Sequence, residues 1–170
     1  AEGGSVGLHS ASHAHLPLKN IDQVENDLTK SMKRFKEELG FIPDVFAYPY
    51  GEFDKQLKKQ LSAQGYIGFA QHSGAIASYS DFSALPRFPA AGMYSNIETL
   101  KVKLDSLAMP VTAVFPDDPR VDIAIQNLTF NVNPKDLAPQ QINCFQKGQI
   151  LNKSLKGNTI AVYINPVTQP

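Results

Sequence analysis

Two histidines near the amino-terminal end of the chain have the spacing of paired metal ligands. In the segment His9-Ser10-Ala11-Ser12-His13 the two imidazoles are four residues apart, and a serine lies beside each of them. On one helical turn or a tight loop, both rings can reach a single ion, and neutral imidazole suits Zn²⁺ and its first-row neighbours. A catalytic zinc usually takes three protein ligands, so the third must come from elsewhere. The alternative is that one ring packs in the core and the other is solvated.

Four further motifs follow in order: Phe46-Ala47-Tyr48-Pro49-Tyr50-Gly51-Glu52, Gly65-Tyr66, Gln71-His72-Ser73-Gly74 and Leu85-Pro86-Arg87-Phe88-Pro89. Together with HSASH, their order and spacing resemble the polysaccharide deacetylases, the fourth carbohydrate esterase family. HSASH resembles that family's metal-binding HSxxH motif, and FAYPYG resembles its groove-wall RxPYG motif. The resemblance covers about residues 3 to 92. It implies a partial distorted (β/α) barrel and a metal-dependent deacetylase.

The chain departs from the family pattern in two places. The family's first motif is a strand ending in two aspartates, which supply the catalytic base and the third metal ligand, but only eight residues precede His9. The resemblance therefore implies a fragment, with the missing amino-terminal part of the same protein as a partner. At Ala47 many members carry the arginine that orients the base. FAYPYG resembles the exopolysaccharide branch, whose members act on substrates such as poly-N-acetylglucosamine.

The resemblance also assigns roles within these motifs. His9 and His13 would bind Zn²⁺, or another divalent first-row metal such as Co²⁺ or Ni²⁺. The backbone N–H of Tyr50 would help to stabilise the oxyanion, a catalytic role. The remaining motif residues would line the groove and bind the substrate: Tyr48, Pro49 and Gly51.

Two residues further along the chain are additional catalytic candidates. His72 follows a predicted strand, and a histidine has a pKa suited to protonating a leaving amine at neutral pH; contact with the sugar and a structural role are the alternatives. Arg87 is a candidate to hold a carboxylate in or near the site, with an exposed arginine as the alternative. The spacing of His15 does not fit the family's ligand pattern, and we expect a surface or groove residue there.

Composition narrows the possible partners. Lys and Arg total 16 and balance 16 Asp and Glu, so no net field attracts nucleic acid or an anionic membrane, whereas a neutral glycan is compatible. No apolar run approaches the roughly 20 residues of a membrane span. The sequence shows no signal peptide, which agrees with a trimmed secreted protein and equally with a cytosolic one. The resemblance implies a periplasmic or extracellular protein. The single Cys144 is expected to be a buried free thiol or to pair beyond Pro170.

Apolar periodicity predicts α/β structure in the first part of the chain. Three helices are expected: from the N-cap Asn20 to Gly40, from Asp54 to Gln64, and from a capping box of Ser95 and Glu98. Short buried strands are expected at Val45 to Tyr48 and at Tyr66 to Ala70. Strands that alternate with helices indicate a parallel sheet or barrel, with the motifs at the carboxyl ends of its strands.

After Pro110 the apolar pattern changes to period two, which predicts a small antiparallel sheet. Its core face should include Ile123, Ile125, Phe130, Val162 and Ile164, and the same alternation includes Val121, Leu128, Val132 and Ile160. Gly157-Asn158 predicts a hairpin turn. We therefore expect two domains, residues 1–112 as the carboxyl-terminal part of a deacetylase barrel and residues 113–170 as a β-rich, sandwich-like domain.

The resemblance implies a hydrolase of carbon–nitrogen bonds other than peptide bonds, which would remove N-acetyl groups from an N-acetylglucosamine-containing polysaccharide. The fragment alone is expected to be nearly inactive. One alternative is a non-catalytic carbohydrate-binding protein, although the chain has no tryptophan to stack on sugars. Another is an acetylxylan-type esterase, because the same metal chemistry cleaves acetyl esters.

Overall fold

The structure is a computed structural model that describes residues 3–120 and 125–164. The chain forms two compact units, residues 1–108 and 109–170. Their mixed helix and strand content agrees with the predicted α/β class. The barrel, and the division into a barrel part and a sandwich-like domain, stay predictions. No helix in the described ranges is long and apolar enough to cross a membrane.

The first unit is organised around short parallel strands. Strand β1 (Val45–Ala47) pairs in parallel with β2 (Ile67–Phe69). Leu8 forms a parallel bridge to β1, and Leu85 forms one to β2. Four chain segments therefore run side by side in sequence order, which is the arrangement that consecutive βα units produce. Both predicted strands are present, each shorter than the sequence pattern suggested.

Helix α1 (Ile21–Leu39) follows Leu8 in the chain and leads to β1. Asn20 caps it: its side chain accepts from the backbone N–H of Gln23, and the Gln23 side chain accepts in return from the N–H of Asn20. The helix ends at Gly40, which has φ of 78° and so occupies the left-handed region that glycine favours. Both predicted ends are confirmed.

Helix α2 (Lys55–Ala63) connects β1 to β2 and begins at the cap Asp54, whose side chain accepts from the N–H of Leu57. Its residues Leu57 and Leu61 lie in the core. That core combines side chains from both helices and from the parallel segments: Leu8, Leu16, Val24, Leu28, Phe46, Tyr48, Leu57 and Leu61. Single 3₁₀ turns occupy Leu16–Leu18, Pro49–Gly51 and Gly92–Tyr94.

Helix α3 (Ile97–Leu104) differs from the prediction at its start. The cap is Asn96, which accepts from the N–H of Glu98, while the hydroxyl of Ser95 donates to the carbonyl of Gly92. The predicted capping box of Ser95 and Glu98 is therefore wrong, because the neighbouring amide side chain takes the cap position. None of the residues in this helix is buried.

The second unit contains a four-stranded antiparallel sheet. Its strands are β3 (Val111–Phe115), β4 (Asn127–Val132), β7 (Lys153–Lys156) and β8 (Thr159–Tyr163). Their order across the sheet is β3–β4–β8–β7. Strands β7 and β8 form a hairpin around Gly157-Asn158, with Gly157 at φ of 61°, as predicted. A short hairpin of β5 (Phe145–Gln146) and β6 (Gln149–Ile150) and a 3₁₀ turn at Pro139–Gln141 complete the unit.

The core of the second unit lies on one face of this sheet. Its buried residues are Phe130, Val132, Ile142, Ile160 and Val162, which confirms Phe130 and Val162 as core residues. Ile125 and Ile164 are half-buried and lie outside the strands. Val121 and Ile123 lie outside the described residues. Strand β3 spans the predicted division between residues 112 and 113. It does not follow the period-two pattern, because its side chains after Val111 are exposed and its register shifts between Thr112 and Phe115.

Candidate active site

The segment from His9 to His13 is a tight loop at the carboxyl end of the first parallel segment. Ser10 has φ of 63° and His13 has φ of 53°, so both occupy the left-handed region that side chains other than glycine rarely adopt. The Ser10 hydroxyl accepts from the backbone N–H of His13 at 2.8 Å. Such a conformation costs free energy and persists only where surrounding contacts hold it.

Asp27 on α1 provides such contacts. Its Oδ1 accepts from the N–H of Ala11 at 2.9 Å, and its Oδ2 accepts from the N–H of Ser12 at 3.0 Å. Burial acts to raise the pKa of the Asp27 carboxyl, but hydrogen bonds from Ser12, Ala11 and Ser10 outweigh burial and lower this pKa below its ordinary value. The sequence analysis missed Asp27. A signal for Asp27 was present in the sequence. This acid lies three residues after Val24, which is buried, and this spacing places it at the edge of the helix face that packs inward.

His9 is oriented by the main chain of β1. Its Nδ1 lies 2.7 Å from the carbonyl oxygen of Ala47, and because a carbonyl only accepts, Nδ1 carries the proton. The lone pair of Nε2 is then available to a ligand. Histidines that bind metals commonly donate their other ring N–H to a backbone carbonyl in this way. Ala47, where many members of the resembled family carry arginine, thus contributes its backbone.

The two imidazoles lie together, as their spacing predicted. The ring centroids of His9 and His13 are 4.8 Å apart, and the rings meet edge to face at 69°. Within residues 3–120 and 125–164, no group of three or more histidine, cysteine, aspartate or glutamate side chains could hold a metal ion. His9 and His13 therefore fit as two ligands of a zinc-type site, in which a third protein ligand is usual.

Tyr50 lies between two histidines. Its ring meets His13 edge to face, with centroids 4.5 Å apart, and stacks on His15 at 4.2 Å with an interplanar angle of 8°. Nδ1 of His15 lies 2.7 Å from Oε2 of Glu52. Tyr50 itself has φ of 57° in the left-handed region, so these ring contacts help to hold a costly conformation. His15, which we predicted as a surface or groove residue, therefore supports a candidate catalytic residue.

Tyr48 and Pro49, the first two predicted substrate-binding residues, are buried. Tyr48 is 0% exposed, its hydroxyl donates to the carbonyl of Ser83 at 2.7 Å, and burial raises its pKa well above the ordinary value. Pro49 is also fully buried. Packed neighbours cover both side chains in this structure, and their assignment as substrate-binding residues stays a prediction. They support the turn that presents Tyr50.

Gly51 has a steric role in the same turn. It has φ of 71°, and a Cβ at this position would come within 2.2 Å of the Cβ of Gln71. Only glycine fits here, because any side chain would collide with the segment after β2. This close approach places Gln71 directly beside the turn that carries Tyr50.

His72 and Arg87 follow β2 and Leu85, respectively. The Arg87 N–H donates to the carbonyl of His72 at 3.0 Å, and the Arg87 Nε donates to the carbonyl of Ala70 at 2.8 Å. Partial burial lowers the pKa of His72, which favours its neutral form. In the described ranges, no hydrogen bond, ion pair or ring contact joins either side chain to the two loop histidines or to Tyr50. Their catalytic roles stay predictions.

We expect Asp27→Asn to loosen the histidine loop. The amide side chain keeps one acceptor oxygen but loses the charge and the second acceptor, so the free energy of unfolding should fall by about 1 kcal/mol, the net value of one such hydrogen bond. NMR should show shifted amide signals for Ala11 and Ser12. Glu25→Gln, an exposed substitution on the same helix, is the matched control and should leave those signals unchanged.

The same variant should change the acid sensitivity of the chain. Because folding lowers the pKa of Asp27, its contribution is present above the unfolded pKa of about 3.9 and is lost as the pH falls through the lower folded value. Asp27→Asn should therefore lose less stability on acidification than the unchanged chain, measured by urea unfolding between neutral and acidic pH. Equal pH profiles and unshifted loop amides would contradict this role.

Comparisons with known proteins agree with the resemblance in the first part of the chain. Residues 1–68 match the family model of the polysaccharide deacetylases. This range contains the histidine loop, α1, β1, the Tyr50 turn and α2. The match supports the assignment of this part of the chain to that class of hydrolases.

Curated relatives of the chain include peptidoglycan-N-acetylglucosamine deacetylase PgdA from two strains of Listeria monocytogenes serotype 1/2a, 10403S and EGD / Mackaness. Each is 32% identical to this chain over 60 residues, which is 35% of this chain and 13% of the relative. The matched segment thus spans a small part of those proteins. No solved structure matches the chain significantly.

Proposed function

We propose that this chain is part of a metal-dependent deacetylase that removes N-acetyl groups from a polysaccharide containing N-acetylglucosamine. The observation that carries the proposal is the cluster of His9, His13 and Tyr50, whose rings touch at the carboxyl ends of the parallel segments. The family match over residues 1–68 supports the reaction class. The name of the similar PgdA supports N-acetylglucosamine as the acetylated sugar.

In this proposal His9 and His13 hold the metal ion, which would be Zn²⁺, Co²⁺ or Ni²⁺. A bound zinc ion lowers the pKa of its water to about 7 and so supplies a hydroxide nucleophile near neutral pH. The carbonyl of Ala47 keeps His9 in the tautomer that presents Nε2. Asp27 and Ser10 hold the loop so that both rings stay on the same side.

Tyr50 supplies the donor for the oxyanion. In the described part of the chain the backbone N–H of Tyr50 donates no hydrogen bond, so it is available to a ligand. The contacts of the Tyr50 ring with His13 and His15 fix the turn before substrate arrives. Fixed donors of this kind stabilise the developing negative charge because they need no reorganisation during the reaction.

The catalytic base and the third metal ligand come, in this proposal, from a preceding part of the same protein. Of the acids near the site, Asp27 is engaged by the loop amides and Glu52 by His15. We place the protein outside the cytoplasm, in the periplasm or the extracellular space, where such glycans occur. Within this class the FAYPYG segment favours the exopolysaccharide branch, whose members act on substrates such as poly-N-acetylglucosamine.

The proposal is tested by measuring acetate release by the full-length protein with Zn²⁺ or Co²⁺ added. A chitooligosaccharide and acetylated xylan are compared as substrates at equal acetyl content. We expect release from the chitooligosaccharide. Release from acetylated xylan alone would overturn the proposal in favour of an esterase, and release from neither would favour a carbohydrate-binding protein.

A further inference from the structure

A pocket of about 350 Å³ lies after strand β2. Ligand sites for small molecules typically measure about 300–1,000 Å³ and combine aromatic walls with a few polar groups. The lining of this pocket has that composition: Gln71, Ser73, Arg87, Phe88, Pro89 and Tyr94. The volume and the two aromatic rings suit a sugar ring, while the amide and hydroxyl groups suit its hydroxyls.

Arg87 is fixed in this pocket without an acidic partner. Its Nε donates to the carbonyl of Ala70 and its backbone N–H donates to the carbonyl of His72, so both ends of the residue are tied to the segment after β2. In the described ranges, no carboxylate pairs with its guanidinium. Within these ranges no carboxylate contacts its two terminal nitrogens, and a guanidinium binds a carboxylate through two parallel hydrogen bonds.

Lys103 adds a second positive charge at the pocket wall. Its Nζ donates to the carbonyl of Pro89 at 2.7 Å and lies 5.5 Å from the ring centroid of Tyr94, two residues that line the pocket. Lys101, on the same helix, pairs instead with Glu98 at 2.9 Å. None of the lining residues is acidic. In a chain of zero formal net charge, this pocket is therefore locally positive.

The pocket adjoins the candidate active site through Gln71. This residue lines the pocket, and it also packs against Gly51 in the turn that carries Tyr50. A glycan whose acetylated residue lies at the histidines can therefore extend a neighbouring residue toward the pocket. Such a neighbour would meet a guanidinium, an ammonium group and two aromatic rings.

We propose that this pocket is a subsite for a sugar residue that carries a carboxylate, next to the acetylated residue; the identification of the ligand as a glycan rests on the proposed function. The carboxylate binds Arg87 through both oxygens. The ammonium group of Lys103, beside the lining residues Pro89 and Tyr94, attracts the negative charge of the carboxylate. Two kinds of sugar supply this group: a uronate, with the carboxylate on the ring, and a muramate, with the carboxylate on a lactyl ether.

Ligand-observed NMR titration of the full-length protein tests the subsite. Glucuronate, N-acetylmuramate, the neutral N-acetylglucosamine and acetate serve as probes. We expect at least one acidic sugar to bind about 10-fold more tightly than N-acetylglucosamine, the value of roughly one charge-assisted hydrogen bond. Arg87→Gln should remove this preference. Arg87→Lys should retain part of it, because lysine keeps the positive charge but cannot form the bidentate contact of a guanidinium. Lys103→Gln should weaken it.

Matched controls separate the subsite from general charge effects. Arg34→Gln and Lys101→Gln each remove one positive charge whose present partner is a surface glutamate, and both should leave the preference unchanged. Circular dichroism checks that each variant folds. Equal binding of acidic and neutral sugars, an unchanged preference in Arg87→Gln, or acetate binding as tightly as the acidic sugars would overturn the proposal.

Failure of this proposal is distinguishable from failure of the proposed function. Acetate release from the chitooligosaccharide is measured on the same preparation. Release without preferential binding of an acidic sugar overturns the subsite alone. Preferential binding that depends on Arg87, without acetate release from any glycan, overturns the proposed function and supports the subsite.

Discussion

An extended chain that includes the strands expected ahead of His9 should release acetate from an N-acetylglucosamine oligomer several orders of magnitude faster than residues 1–170 alone. The described residues bring two imidazoles together without a group of three metal-binding side chains, and the proposal takes the third ligand and the base from a preceding part of the protein. General base catalysis contributes roughly 10²- to 10⁴-fold, and loss of the metal removes the nucleophile as well. The two forms are assayed side by side with added Zn²⁺ or Co²⁺.

Adding the preceding part as a separate, complementing fragment should also restore activity. Equal turnover by the short and the extended chains would contradict the expectation and require a base within residues 1–170. The candidates are Asp44, Glu52 and Asp54. Asp44 precedes β1, at the end of the strand opposite to the histidine loop, and Asp54 caps α2. Glu52 pairs with His15, which stacks on Tyr50, so the search would begin with Glu52.

Loss of either loop histidine should abolish stoichiometric metal binding. In the full-length protein, His9→Ala or His13→Ala would remove one metal–nitrogen bond, and the neighbouring His15 is engaged by Glu52 and Tyr50. Elemental analysis should show zinc falling from about one ion per chain to a small fraction of that value. His72→Ala is the control, because its ring has no contact with the loop in the described residues, and this variant should retain zinc.

Metal retained by the double variant of His9 and His13 would contradict the site. A fall in zinc in His72→Ala equal to that in the loop variants would contradict the assignment of His72 outside the ligand set. Folding of each variant is checked by circular dichroism, so that loss of zinc is not confused with loss of the fold.

Local signals predicted the elements whose ends depend on nearby residues. Helix α1 begins and ends as expected, because its cap Asn20 and its terminal Gly40 act within one turn of the helix. At α3 two adjacent residues, Ser95 and Asn96, can both cap, and the preceding 3₁₀ turn engages Ser95. Strand β3 was missed because its exposed side chains show no alternation.

The candidate site was predictable only in part. The spacing of His9 and His13 is local, so the sequence indicated that their rings converge. The bond from His9 to Ala47 spans 38 residues and the bonds from Asp27 to the loop span 15 and 16. Such contacts depend on how α1 packs beside β1, which periodicity does not specify. The burial of Tyr48 has the same origin, since it depends on covering residues from another segment.

The hydrogen bond between His9 and residue 47 sets no requirement on the side chain at position 47. The acceptor is a main-chain carbonyl, which every amino acid possesses, so a mutation at Ala47 leaves the orienting group in place. The side chain at this position can therefore diverge among related proteins while the imidazole keeps its tautomer. A substitution at position 47 that keeps the strand backbone in place should therefore leave the tautomer of His9 unchanged.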